Sequence, residues 1–181
     1  LRHVSFNLVS MATDCGFASQ DFDKWPIFAP LWMLFLSCIT ASSGSTGGGI
    51  KMIRTLILAK QANRELTRLI HPAVVNPVKV GGSAIPNNVV IAVLGFIFLY
   101  FMSVVMLTFV MILSGLDFMT SLGAVVASIN NAGPGLNKVG PATNYAVLTD
   151  FQTWVCTFTM LLGRLEVLSL AVVFTPQFWR K

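Results

Sequence analysis

An all-α membrane protein, made of short and long apolar helices in a repeated order, is the fold class that the sequence predicts. Three observations predict it. Hydrophobic residues make up 55% of the 181 and charged residues only 10%, against about 25% charged in a soluble domain. Residues 89–113 contain no charge at all. A short apolar helix, a glycine-containing loop and a longer apolar helix follow one another twice along the chain. With a mean hydropathy of +0.75, a soluble chain of this size has too little polar side chain to cover its surface, and disorder is excluded on the same ground.

Residues 89–113 exceed the roughly 20 apolar residues that cross a hydrocarbon core, with Pro86 and two asparagines as a start signal and Ser114-Gly115 as a stop. Residues 151–174 form a second span, apolar except for Arg164 and Glu166 near its middle; Pro176, Arg180 and Lys181 close it. Residues 25–40 are slightly short for a span and run into the glycine- and serine-rich residues 41–49, after which apolar character resumes in 50–58. A helix broken in this way is tolerated at membrane depth only where it is buried in protein or lines a cavity. Residues 4–12 and 118–129 are too short to span and read as re-entrant.

Charge fixes the orientation. Lys51, Arg54, Lys60, Arg64, Arg68 and Lys79 stand against the single acid Glu65 within residues 51–79. Next to apolar spans this cluster reads as a cytoplasmic loop under the positive-inside rule, not as a nucleic-acid face. Residues 89–113 then cross outward, 118–129 dip in, 130–136 climb back, 137–150 lie outside, and 151–174 return the basic tail to the cytoplasmic side. Lys60, Arg64 and Arg68 share one helix face, which suits lipid headgroups or a protein partner; the sequence does not choose between them. Leu1 is followed by no signal-peptide pattern, and the chain is expected to begin inside a longer protein.

The loops carry the chemistry. A re-entrant helix aims the negative end of its dipole at the membrane centre, and the extended loop after it can offer backbone carbonyls to a dehydrated cation, as in potassium-type filters. Thr13-Asp14-Cys15-Gly16-Phe17 aligns without a gap on Asn130-Asn131-Ala132-Gly133-Pro134, glycine on glycine. An ordinary turn is the competing reading of either loop alone; recurrence in the same slot of a repeat favours the filter. Gly16 and Gly133 are expected in conformations that side chains disfavour.

Ser42-Ser43-Gly44-Ser45-Thr46-Gly47-Gly48-Gly49-Ile50-Lys51 fails as a phosphate loop, because Ile50 stands where that motif needs lysine; a mobile plug or hinge is expected instead. Arg164 either knits helices together or raises an electrostatic barrier in the pore. Cys15, Cys38 and Cys156 have no metal-ligand spacing. His3 and His71 lie outside the spans and no catalytic cluster is visible, so an enzyme is not expected.

Ala41-Ser42-Ser43-Gly44-Ser45-Thr46-Gly47-Gly48-Gly49-Ile50-Lys51-Met52-Ile53-Arg54, Ser128-Ile129-Asn130-Asn131-Ala132-Gly133-Pro134-Gly135, Gly163-Arg164-Leu165-Glu166-Val167 and the ending Phe174-Thr175-Pro176-Gln177-Phe178-Trp179-Arg180-Lys181 resemble the C-terminal part of TrkH-type bacterial potassium uptake proteins, of the Trk/Ktr/HKT superfamily. The resemblance covers essentially the whole chain.

It implies four membrane–pore-helix–membrane repeats with re-entrant filter loops, of which this chain holds about one and a half. Residues 1–70 would be the pore helix, filter loop and broken second helix of the third repeat, 71–88 a cytoplasmic linker, and 89–181 the complete fourth repeat. Thr13, Asp14, Cys15 and Gly16, with Asn130, Asn131, Ala132 and Gly133, would bind the ion. Gly44, Ser45, Thr46, Gly47, Gly48, Gly49 and Arg164 would gate it. Asp14 departs from the small or hydroxyl residue more frequent in the family.

The resemblance further implies potassium uptake across the bacterial inner membrane, with potassium as transported ligand and no other metal or cofactor. Channel and ion-coupled symport both remain open. Its partners would be membrane lipid, the remaining repeats, a second copy in a homodimer, and cytoplasmic nucleotide-binding regulatory subunits. The alternative is a non-conducting accessory or structural membrane subunit.

Overall fold

The computed structural model describes residues 1–39, 47–72, 74 and 76–164. Six helices make up the described fold: α1 (Arg2–Ala12), α2 (Phe28–Ile39), α3 (Met52–Ile70), α4 (Asn87–Leu113), α5 (Phe118–Asn130) and α6 (Asp150–Arg164). The tail expected to complete the second span, including Glu166, Arg180 and Lys181, lies outside the described residues, as do residues 40–46.

One departure from the sequence reading is a two-stranded hairpin in the linker. Strand β1 (Lys79–Val80) pairs antiparallel with β2 (Ser83–Ala84). The turn between them is Gly81-Gly82, both at positive φ (59° and 85°), a conformation that two-residue hairpin turns require and glycine adopts freely. Two-residue strands carry too little alternation to be read from sequence.

α4 begins at Asn87, two residues before the uncharged run, and at 27 residues is about 40 Å long, enough to cross a hydrocarbon core of about 30 Å. It is the one described helix long and apolar enough to do so. Its buried residues, Val90, Val93, Phe96, Ile97, Tyr100, Val104, Thr108 and Met111, follow helical spacing and make a single stripe. Phe98, Phe101, Met102, Val105, Met106 and Phe109 are exposed on the remainder, where a lipid or protein neighbour would remove them from water.

The stripe faces α5, the most enclosed element. From Thr120 to Asn130 every residue except Leu122 is buried, with α6, α4 and α2 packed around it. Helix α5 is about 20 Å long at 1.5 Å per residue. Asp117 starts it as an N-cap, accepting from the Thr120 amide (3.1 Å) and hydroxyl (2.8 Å). Asn137 Nδ2, beyond the loop at the other end of α5, donates to the same carboxylate at 3.0 Å, and Lys138 lies 3.7 Å from it. The chain therefore returns to the level at which α5 began.

Close backbone approach makes this return possible. A Cβ on Gly123 would lie 2.6 Å from the Leu136 nitrogen, and one on Gly135 would lie 3.0 Å from the Gly123 carbonyl oxygen. At the far end, a Cβ on Gly163 of α6 would fall on the Ile129 carbonyl oxygen. Glycine at these points lets the neighbouring segments touch α5 without an intervening side chain.

Two outcomes follow from this packing. Gly163→Ala should lower thermal stability in detergent, because it drives a methyl into a helix carbonyl. Gly95→Ala, at an open position on α4, should leave stability unchanged or raise it by up to about 1 kcal/mol through helix propensity. The Asp117 carboxylate is pushed up by burial, but the Thr120 and Asn137 donors outweigh this and hold it below the usual aspartate range. A depressed folded-state pKa gives stability that is present above the unfolded value and lost as pH falls through the folded one. Asp117→Asn, which keeps a capping oxygen and removes the charge, should flatten that part of the melting-temperature profile between about pH 5 and pH 3.

Candidate functional site

The two aligned loops have the same backbone. Asp14 and Asn131 both adopt left-handed conformations (φ 54° and 57°), and Gly16 and Gly133 follow at φ 77° and 96°. Their hydrogen bonds also correspond. The Asp14 amide donates to Met11 O (3.3 Å) and the Cys15 amide to Ser10 O (2.9 Å), while the Asn131 amide donates to Ser128 O (3.1 Å) and the Ala132 amide to Ala127 O (3.0 Å). Each helix thus ends in a Schellman motif, its last carbonyls closed by the two amides that follow. Asp and Asn are the non-glycine residues that best tolerate the left-handed position.

The correspondence continues past the glycines. After Gly16 the chain turns back beside α1, where the Ser19 amide donates to the buried Asn7 side chain at 2.9 Å. After Gly133 it turns back beside α5 at Gly123 and Leu136. The two loops meet: a Cβ on Gly16 would fall on the Ala132 carbonyl oxygen and lie 3.3 Å from the Pro134 ring, and one on Gly133 would lie 3.8 Å from Gly16 Cα. Glycine is therefore fixed at residue 16 by φ and by space together.

The side chains are supported unequally. Thr13 and Cys15 are exposed, and the Thr13 hydroxyl donates back to Val9 O at 2.8 Å. Both carboxylate oxygens of Asp14 are shielded and carry no hydrogen bond among the described residues. Asn130 is fully buried. Its Oδ1 accepts from Tyr100 Oη of α4 at 2.7 Å, and its Nδ2 donates to Ser37 Oγ (3.1 Å) and Cys38 Sγ (3.3 Å) of α2. Asn131 Nδ2 donates to Met160 O of α6 at 3.4 Å. Tyr145 Oη donates to Gly133 O at 2.9 Å; burial chiefly, and Cys156 next, raise its phenol above the ordinary tyrosine range, so it stays a donor.

Of the residues expected to gate, Gly44, Ser45 and Thr46 lie outside the described residues, while Gly47, Gly48 and Gly49 are non-helical, and Gly48 and Gly49 run against the end of α5. A Cβ on Gly48 would fall on Asn130 O and lie 2.8 Å from Ile129 O; one on Gly49 would lie 2.8 Å from Asn130 Oδ1 and 3.1 Å from Cys38 O. The Ile50 amide donates to Cys38 O at 2.8 Å, so the break between α2 and α3 is closed at its two ends. Arg164 is exposed at the end of α6, next to Gly163, which packs on the same Ile129 carbonyl that Gly48 faces.

The structure brings together the glycine loop, the second aligned loop and the neighbour of Arg164 at the C-terminal end of α5. Sequence reasoning missed Tyr100, Ser37, Cys38, Asn7 and Tyr145. A lone tyrosine in an uncharged helix was a usable signal, since a buried phenol needs a partner. Nothing local marks Tyr145. The arrangement can hold rigid backbone turns at the end of a short buried helix and present carbonyls there; among the described residues no His, Cys, Asp and Glu cluster suits a metal ion.

Comparison with known proteins agrees in one direction. A family model, TrkH, described as a cation transport protein, matches residues 1–181. The "Trk system potassium uptake protein TrkH" of Salmonella typhimurium strain LT2 is 43% identical over 181 residues, covering 100% of this chain and 37% of the relative. The protein of that name from Vibrio parahaemolyticus serotype O3:K6 is 45% identical over 175 residues, 97% of this chain and 36% of the relative. The crystal structure of the potassium transporter TrkH from Vibrio parahaemolyticus superposes with a TM-score of 0.89 at 45% identity, over 97% of this chain and 37% of that one. The chain thus spans little more than a third of the relatives it matches. With a match that runs its whole length and a shared fold, the chain belongs to the TrkH family of cation transport proteins.

Proposed function

We propose that the chain is part of the translocating subunit of a potassium uptake system in the bacterial inner membrane, contributing two strands of a selectivity filter and a gate. The duplicated loop backbone carries this reading. Two short helices end in the same Schellman turn, followed at the same position by a glycine at positive φ, and the loops lie against each other. In this reading α1 and α5 are pore helices, and carbonyls of Thr13, Asp14, Cys15 and Gly16 and of Asn130, Asn131, Ala132 and Gly133 replace part of the ion's water shell. Residues 1–70 and 89–181 belong to the third and fourth of four membrane–pore-helix–membrane repeats, joined by a cytoplasmic linker at 71–88. The longer protein supplies the remaining repeats. It works as a homodimer in the lipid bilayer with nucleotide-binding regulatory subunits on the cytoplasmic side, and no covalent chemistry is involved.

The gate is residues 41–49 with Arg164. Gly48 and Gly49 run against the end of α5, and the absence of side chains lets them approach its Asn130 and Ile129 groups. Arg164 follows the glycine that packs on the same carbonyl, which supports an action of its charge on the path below the filter. Two like charges about 4 Å apart repel by about 1 kcal/mol in water and about 4 at an effective dielectric of 20. Tyr145 braces the filter from outside by its bond to Gly133 O.

The test is flux through proteoliposomes carrying the full-length protein. Gly16→Ala and Gly133→Ala should each reduce potassium over sodium selectivity. Tyr145→Phe should reduce it less, with unchanged protein yield. Unchanged selectivity in both glycine variants overturns the filter assignment, and absence of any potassium flux in the parent protein supports the non-conducting alternative.

Arg164→Ala should raise the cation flux per molecule, by several-fold to about a thousandfold on the repulsion range above, while Arg164→Lys should keep most of the barrier. A poorly produced Ala variant with no gain in flux per molecule would instead make Arg164 a helix-knitting residue.

A further inference from the structure

The cations of α3 differ in exposure: the Arg64 side chain is largely enclosed, while Lys60 and Arg68 are exposed. Lys60, Arg64 and Arg68, spaced four apart, line one side of the helix. That side meets the hairpin and the start of α4. Lys60 Nζ donates to Lys79 O at 2.6 Å, and Arg64 Nη1 donates to Asn87 Oδ1 at 3.1 Å. Between these elements lie two adjoining cavities. One of about 340 Å³ is lined by Arg64, Arg68, Asn76, Pro86 and Asn87 among others. The second, of about 240 Å³, shares Arg64, Asn76 and Pro77 with it and adds Lys60 and Lys79.

The charge around them is unbalanced. Glu65 is the acid on this stretch. It accepts from Gln61 at 2.8 Å and lies 3.5 Å from Arg68 Nη1 and 3.7 Å from Arg64 Nε, leaving four cations to one carboxylate. The Arg64 side chain is only 12% exposed, and its Nε is buried without a hydrogen-bond partner. Pro86 opens α4 without a side-chain cap, so the positive end of a 27-residue helix borders the same space. Asn87 lies two residues before the apolar run 89–113, about 3 Å of helix rise from it.

We infer that these cavities form a phosphate-binding site at the cytoplasmic membrane interface, filled by the headgroup phosphate of an anionic lipid. The Arg64 and Arg68 guanidinium groups supply a forked donor set, the α4 N-terminus favours an anion, and the depth suits a headgroup whose acyl chains lie along the exposed apolar face of α4. A free phosphate ion has the same chemistry without the chains. The site is independent of the proposed ion path.

Native mass spectrometry of the detergent-solubilised full-length protein tests this with phosphatidylglycerol, phosphatidylcholine and inorganic phosphate as probes. Phosphatidylglycerol should be retained over phosphatidylcholine, whose choline cancels the phosphate charge. Arg64→Gln and Arg68→Gln should each weaken its binding by about fivefold, the worth of one interfacial cation, and the exposed Lys24→Gln should not. Arg68 is half exposed, so its variant reads binding even where Arg64→Gln impairs folding. Binding of inorganic phosphate, lost in both variants and with no preference for phosphatidylglycerol, supports the phosphate site and assigns it to a soluble ion. Equal retention of both lipids with no phosphate binding overturns the inference, as does wild-type lipid and phosphate binding in Arg68→Gln and Arg64→Gln. Loss of regulatory-subunit binding alone would make the pocket a protein contact and overturn it too.

Discussion

The fold turns on one buried amide. Asn130 stands at the last turn of α5, where four segments converge. Its carboxamide accepts from Tyr100, donates to Ser37 and Cys38, and lies against Gly49. A polar group enclosed in apolar surroundings is costly unless its donors and acceptors are met. Here the acceptor is met from α4 and the donor from α2, so the amide is satisfied only when α2, α4 and α5 are all in register. The requirement is geometric as well as energetic. Helix packing alone tolerates sliding, whereas a bond of 2.7 Å to a single phenol does not.

From that point the rest of the architecture is ordered outward. Helix α5 is too short to reach across a bilayer and too enclosed to face lipid, so its two ends must be dealt with inside protein. At the start Asp117 caps the amides; at the finish the Schellman turn closes the carbonyls, and glycines from the α2–α3 break and from α6 press on what remains. The basic side of α3 and the linker hairpin collect at the first residues of α4, about 20 Å of helix rise from Tyr100 at its middle.

Much of this was legible in the sequence because it depends on composition and period. The uncharged run 89–113 and the two short apolar segments each became helices within two residues of the expected limits, since length and hydropathy alone decide them. Gly16 and Gly133 were legible because positive φ selects glycine. What stayed hidden is long-range pairing. Ser37 and Asn130 are 93 residues apart, and no local pattern announces that one donates to the other. Tyr145 sits in an ordinary-looking polar loop, and only the returning chain shows its hydroxyl on Gly133 O. The hairpin at Lys79 was hidden for the opposite reason: it is too short to have a period.

The matched turns after α1 and α5 have a consequence for which residues such a turn admits. Their shape is held by main-chain amides on main-chain carbonyls, and only the left-handed residue and the glycine two places on restrict which side chains are admitted. Thr13-Asp14-Cys15 and Asn130-Asn131-Ala132 therefore keep one outline with no residue in common. Turns of this kind admit wide variation in identity while their contour persists, so each can take on its own attachments. The turn after α5 is fastened by two phenols and two side-chain amides; the turn after α1 carries a shielded carboxylate. The likeness of the two turns is therefore carried by their torsion angles and not by their residues.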